Sequence, residues 1–190
     1  MNVVCSVSVE EAQSEAPDIL VLPERTTITE LEIASRQWPN AIIVGAVEER
    51  RHVRGYVLKG GENRIDYLKF CSDSISDGTF LMPVNQTFED KDVALGVLIC
   101  KDFQQPLLLD NVMNRFTSSQ SRIKIVCIPA DMGSEWFPGG RAREFIGAYV
   151  ALSNNQRTPT HTRRKSFILG PNGVPVRDQI HHEAISHSAP

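Results

Sequence analysis

Four stretches of this chain are apolar with too little interruption for a strand that has one face in water. They are "DILVLPE" (18–24), "NAIIVGAVEE" (40–49), "VALGVLICKDF" (93–103) and "IKIVCIPADM" (123–132). A strand that reads as a near-continuous run of Val, Ile and Leu is covered on both faces, the condition of a sheet inside a layered α/β protein. The covering layers are visible between the runs. "TTITELEIASRQW" (26–38) carries Ile28, Leu31, Ala34 and Ser35 at helical spacing, and Thr27 with Glu30 forms a capping-box pair. "PLLLDNVMNRFTSSQSR" (106–122) repeats Leu108, Val112 and Phe116 at a spacing of four, which predicts an amphipathic helix.

Hairpins flank this alternation of strand and helix. "GYVLKGGENRIDYLKF" (55–70) places Gly60-Gly61 and Asn63 between two alternating segments, and "KSFILGPNGVPVR" (165–177) turns at Pro171-Asn172-Gly173. "GRAREFIGAYVAL" (140–152) predicts a second helix running into a strand. The pattern favours an α/β layered sandwich over a barrel or an all-β domain. No repeat, linker or low-complexity tract divides the chain, so residues 1–180 read as a single domain. The stretch 181–190, "HHEAISHSAP", has no apolar periodicity and is expected to be a loose tail.

Composition narrows the partners. A net charge of −3 over 190 residues gives no basic surface for nucleic acid or anionic membrane, and Arg163, Arg164 and Lys165 read as a solvated loop. No apolar run reaches the roughly 18–20 residues of a membrane helix, and "MNVVCSVSVEEAQ" has no signal-peptide pattern. Cys5, Cys71, Cys100 and Cys127 are too scattered for a disulfide framework, and no CxxC pair suggests zinc. A reduced, cytoplasmic protein is the natural expectation.

Chemistry concentrates where the buried runs stop. Glu24 follows "DILVLP", Lys69 follows "RIDYL" and Cys100 follows "ALGVLI". Ligands in open α/β sheets gather outside the carboxyl ends of strands. A carboxylate, an ammonium and a thiol meeting there make a coherent set: the base takes the thiol proton, the sulfur attacks, and the ammonium with backbone N–H groups holds the developing oxyanion. Each residue also has a plain structural reading. Glu24 and Lys69 suit a solvated strand end, and an unpaired cysteine such as Cys100 is most often a small buried hydrophobe.

The ordered set "VLPE", "YLK" and "GVLICKD" resembles the nitrilase superfamily of carbon–nitrogen hydrolases, whose Glu–Lys–Cys triad occurs in this chain order and these settings. "CIPADM" (127–132) stands where the family has a strand ending in a small-residue segment at the pocket. "RAREF" (141–145), with Glu144, is similar to a family helix start; "YVALSNN" (149–155) and "KSFILGPNGVPV" (165–176) are similar to the strand and hairpin that follow. Seven pieces in order, over residues 18–176, outweigh the plain reading of Cys100. The resemblance implies an α-β-β-α sandwich of mixed sheets, pairing of subunits into a homodimer or higher homo-oligomer, and no metal or organic cofactor. It implies a hydrolase (amidase or nitrilase class) of small amides, nitriles or carbamoyl compounds. In it Cys100 is the nucleophile, Glu24 the general base and acid, and Lys69 the stabiliser of the tetrahedral intermediate, through a thioester acyl-enzyme. Asp102 matches the family's acidic position two after the cysteine, as an orienting residue.

The chain also departs from that pattern. The segment before "DILVLPE" has room only for an abbreviated strand and a two-turn helix capped by Ser8. Lys101 replaces a common aromatic residue, offering its backbone N–H to the oxyanion and added positive charge near the thiolate. The family's assisting glutamate falls near Asp77, with Asp73 as the alternative. These departures leave a second reading open, a catalytically reduced module with a binding or assembly role. Trp136 and Phe137 either wall a pocket or pack a loop, His161 and the tail histidines read as solvated, and Cys71 and Cys127 as core thiols.

Overall fold

The computed structural model describes residues 1–50, 52–70, 87–90, 92–131, 145, 147–155, 166–178 and 185–188. Two six-stranded sheets face each other, in the orders β12-β1-β2-β3-β4-β5 and β11-β10-β9-β8-β7-β6. In the first, β1 (Asn2–Cys5), β2 (Ile19–Glu24) and β3 (Ile42–Glu49) run parallel, with the hairpin of β4 (His52–Lys59) and β5 (Glu62–Leu68) beside β3. In the second, β7 (Val93–Val97), β8 (Ile123–Ala130) and β9 (Tyr149–Asn154) run parallel. Antiparallel β6 (Thr87–Asp90) joins β7, and the hairpin of β10 (Phe167–Leu169) and β11 (Pro175–Asp178) joins β9. Each sheet is therefore a parallel centre with antiparallel flanks.

Helix α1 (Ile28–Gln37) lies on the outer face of the first sheet and α2 (Pro106–Ser118) on that of the second. The layers are α-β-β-α, as the continuous apolar runs require. In β2, Ile19 and Val21 join the core between the sheets, while Leu20 and Leu22 pack with Leu31 and Ala34 of α1. α2 buries Leu108, Leu109, Val112 and Phe116. It sits so close to β7 that a Cβ at Gly96 would meet Val112 Cγ1 at 2.3 Å. That close approach explains a glycine inside an otherwise bulky strand.

Local signals behave as their chemistry predicts. Thr27 accepts the N–H of Glu30 at 3.2 Å, and Glu30 accepts the N–H of Thr27 at 2.8 Å, closing the capping box. Gly60 (φ 59°) and Gly61 (φ 80°) form the two-residue loop of the β4–β5 hairpin, both in the left-handed region a primed turn needs. The β10–β11 turn has Gly173 at φ 74°.

Four expectations are corrected. Ile28 shares the helical period of α1 but is 39% exposed; the buried face is Leu31, Ala34 and Ser35, and Ser35 Oγ accepts the Gly61 N–H at 2.8 Å. The segment after β1 is a run of turns rather than a helix, although Ser8 Oγ does accept the N–H of Glu11 at 3.3 Å. β7 stops at Val97; Leu98 still donates its N–H to the Cys127 carbonyl at 3.1 Å, and Leu98 and Ile99 are buried beyond the strand. Within the stretch expected to be loose, Ile185–Ser188 forms β12, paired antiparallel with β1 from Asn2↔Ser188 to Cys5↔Ile185. Strand addition at a sheet edge rests on backbone hydrogen bonds, which need no apolar period. The expected helix over 140–148 lies largely outside the described residues. No helix among the described residues is long and apolar enough to cross a membrane.

Candidate active site

At the carboxyl ends of β2 and β7 the chain turns abruptly, and each turn presents a reactive group. Pro23 has no N–H to give the ladder, and the β2–β3 register shifts between Val21 and Glu24. Thr26 then donates its Oγ1 to the Pro23 carbonyl at 2.7 Å, and Arg25 adopts φ 71°, ending the strand with Glu24 only 7% exposed. On the other sheet Ile99 is extended (φ −85°, ψ 117°) and Cys100 takes φ 49° as it opens a 3₁₀ turn, Cys100–Gln104. A left-handed backbone at a non-glycine residue costs on the order of 1–3 kcal/mol. It is an elbow that projects the thiol from a sharp strand-to-helix turn.

Lys69 comes from the β4–β5 hairpin. Its N–H continues the ladder by donating to the Val53 carbonyl at 2.8 Å, and the buried alternation Ile65, Tyr67, Lys69 carries its side chain inward. Its ammonium donates to both oxygens of Glu24, at 2.8 Å to Oε1 and 2.9 Å to Oε2. The Glu24 carboxylate, the Lys69 ammonium and the Lys101 N–H all act on the Cys100 thiol, the first against its ionisation and the other two in favour of it. Glu24, Lys69 and Cys100, 7%, 7% and 4% exposed, thus form one buried cluster.

The electrostatics describe a resting thiol, not a thiolate. Burial, then the negative charge of Glu24, push the Cys100 thiol up to about 12, against the opposing pull of Lys69 and the Lys101 N–H. Burial works against the Lys69 ammonium, yet the charge Cys100 takes on once ionised at high pH, the charges on Glu24 and Asp102 and the Glu24 hydrogen bond outweigh it and hold its pKa above the usual value. The ammonium is a fixed cation with three donors. Two oxygens of Glu24 take two of them.

Asp102 supplies the scaffold. It is fully buried, and its Oδ2 accepts the N–H of Phe70, the residue after Lys69, at 3.2 Å. The carboxylate clips the end of the lysine-bearing strand to the cysteine-bearing turn. Lys101 is exposed and meets the site through its N–H.

No family model and no curated protein matches the sequence. The three-dimensional arrangement does find counterparts. It is similar to Saccharomyces cerevisiae Nit3, a member of branch 10 of the nitrilase superfamily, with TM-score 0.73 and 16% identity over 98% of this chain and 89% of that one. The chain has the nitrilase-superfamily fold. A mutant amidase of that superfamily from Nesterenkonia AN1 superposes with TM-score 0.71 at 13% identity, again over 98% and 89% of the two chains. A CN-hydrolase superfamily protein from Xanthomonas campestris, solved with an arsenic adduct in its active site, gives 0.70 at 11% identity over the same shares.

Within this nitrilase-type sandwich, Asp77, Asp73, Trp136, Phe137, Glu144, His161 and Cys71 lie outside the described residues. Cys5 and Cys127 are fully buried free thiols. Burial, and for Cys5 the neighbouring Cys127, raises both. One feature of the mouth has little sequence signal. Arg25 Nε stands 3.1 Å from Asp131 Oδ2 and 3.4 Å from Glu48 Oε2, tying together the carboxyl ends of β2, β8 and β3. Only the position of Arg25 directly after Glu24, and of Asp131 at the end of "CIPAD", hints at it. A separate cavity of about 280 Å³ opens at the far end of the sandwich, between the starts of β2, β3, β7 and β8.

Proposed function

We propose that this chain is a carbon–nitrogen hydrolase that uses Cys100 as nucleophile, Glu24 as general base and acid, and Lys69 as electrostatic stabiliser. The observation that carries the reading is the shared carboxylate. Glu24 receives the Lys69 ammonium on both oxygens and also acts on the buried Cys100 thiol, raising its hold on the proton. A thiol that rests protonated against a carboxylate is placed to lose its proton as it attacks, so that no free thiolate has to persist in a buried, acidic setting.

In the forward sense, Sγ bonds to the acyl carbon of a small amide while its proton passes to Glu24. The carbonyl oxygen becomes an oxyanion held by the third Lys69 donor and the Lys101 N–H. Glu24 returns the proton to the departing amine, the C–N bond breaks and a thioester remains. Glu24 then deprotonates a water that attacks the thioester, releasing the acid and restoring the thiol. Amides are the preferred class, with nitriles and carbamoyl compounds as further acyl donors, and no cofactor takes part in this scheme. A homodimer in a reducing, cytoplasmic compartment is the setting we propose. Nucleic acid and membrane have no part in it.

The test is direct. Purified protein is incubated with a panel of small amides and nitriles, and ammonia release and intact mass are followed. An acyl adduct on Cys100, with turnover that disappears in Cys100→Ala, supports the hydrolase. The high resting pKa and 4% exposure of Cys100 favour, as second reading, a catalytically reduced binding module. Absence of both adduct and ammonia across the panel selects that module.

A further inference from the structure

β5 carries a second polar group into the same interior. Tyr67 lies two residues before Lys69, hence on the same face of the strand, and is 3% exposed. Its hydroxyl has no hydrogen-bond partner among the described residues. A buried hydroxyl left unpaired costs about 1–3 kcal/mol, so its retention calls for a reason. The ring's position supplies one. Tyr67 pairs across the ladder with Gly55, and a Cβ at Gly55 would meet Tyr67 Cε1 at 2.6 Å and Ile99 Cδ1 at 3.0 Å. Glycine at 55 therefore makes room for two side chains to converge, one from the lysine strand and one from the residue before the nucleophile.

Ile99 is itself incomplete. It follows the end of β7, its carbonyl accepts the Asp102 N–H at 2.9 Å, and its own N–H has no ladder partner among the described residues. The Ile99 backbone nevertheless acts on the Tyr67 phenol, opposing the effects of burial, Asp102 and Glu24. Among the described residues the Tyr67 hydroxyl has no hydrogen-bond partner and the Ile99 N–H makes no backbone hydrogen bond, while the two side chains converge at Gly55.

We propose that Tyr67 is a positioning residue: its hydroxyl latches the Ile99 N–H and holds the Cys100 elbow against the Lys69 strand as the sulfur reacts. The role rests on Cys100 as the reactive thiol of the proposed hydrolase, but its test needs no substrate. The rate of Cys100 alkylation by iodoacetamide is measured by peptide mass from about pH 7 to 10 for the wild type, Tyr67→Phe and Tyr56→Phe. Tyr56 is the control, since it lies in the outer cluster and donates to Glu49 at 2.7 Å.

With the latch lost, the sulfur is less well held by Lys69 and the Lys101 N–H. Tyr67→Phe is expected to react at least about threefold more slowly at a given pH, a half-unit rise in the apparent midpoint, while Tyr56→Phe follows the wild type. A Tyr67→Phe profile that overlays the wild type overturns the proposal, and raised thermal stability beside it would mark the hydroxyl as an unused polar group. Should Tyr67→Phe not fold, hydrogen exchange at the wild-type Ile99 amide decides: slowing on alkylation of Cys100 supports the latch, and unchanged exchange overturns it. Failure of the hydrolase reading shows separately, as no acyl adduct in the wild type.

Discussion

Lys69 Nζ and the Glu24 carboxylate, 45 residues apart in the chain, form a two-pronged ion pair at 2.8 and 2.9 Å with both side chains 9% exposed. A pair so buried is expensive to break from one side, because the remaining charge has neither water nor partner. Lys69→Met is expected to lower unfolding free energy by about 3–5 kcal/mol, while the neutral pair Glu24→Gln with Lys69→Met recovers most of that loss. Urea denaturation of the two single variants and the double variant closes the cycle. Simple additivity of the single losses would mean that the ion pair is not coupled in solution.

The same pair acts on Cys100 with opposite signs, which separates reactivity from turnover. Glu24 raises the thiol pKa and Lys69 lowers it. Glu24→Gln is therefore expected to speed iodoacetamide alkylation of Cys100 near neutral pH while abolishing amide turnover, and Lys69→Met to slow alkylation. Stability carries the same signature. The folded thiol keeps its proton to about 12 against an ordinary 9.0, so its contribution is complete below about pH 9 and is lost as pH climbs toward 12. Cys100→Ala should show a shallower alkaline fall in stability than the wild type, read by denaturant melts at stepped pH.

Much of this was legible because the physics is local or periodic. Runs such as Ile19–Leu22 are apolar on both faces only when two layers cover them, and Gly60-Gly61 can close a tight hairpin where bulkier pairs cannot. The grouping of Glu24, Lys69 and Cys100 was suggested by their common place just past the buried runs and singled out by the resemblance of "VLPE", "YLK" and "GVLICKD" to a family set. Other features depend on pairings that leave no period. An apolar run does not mark where a ladder stops, so the end of β7 at Val97, which frees Ile99 and lets Cys100 turn to φ 49°, is invisible in "VALGVLIC". β12 reads as polar tail because the ladder that pairs it with β1 leaves no apolar period in the sequence. The link from Arg25 to Asp131 joins residues whose nearness exists only once both sheets are stacked.

Gly96 gives a packing prediction independent of chemistry. Its missing Cβ would stand 2.3 Å from Val112 Cγ1 and 3.3 Å from Phe116 Cζ. Gly96→Ala is expected to push α2 off β7 and destabilise the fold by about 1–3 kcal/mol. Val112→Ala in the same chain should restore part of that loss, although alone it destabilises by removing buried methyl groups. Thermal melts of the three variants test it, and a double variant no more stable than Gly96→Ala would place the strain elsewhere.

Asp102 offers the sharpest division between holding and reacting. Its carboxylate accepts the Phe70 N–H at 3.2 Å and lies among the charges that favour the Lys69 ammonium, yet the proposed scheme routes no proton through it. Asp102→Asn keeps an acceptor for Phe70 and removes the charge, whereas Asp102→Ala removes both. The alanine variant is expected to lose about 1–3 kcal/mol of stability, the cost of leaving a buried N–H unpaired, and the asparagine variant less. Both should lower kcat more than they raise KM, because the clip aligns Lys69 with Cys100 after substrate is already bound. If turnover in the asparagine variant equals the wild type while the alanine variant fails, position alone matters. If both fail equally with stability intact, the negative charge itself sets the ammonium.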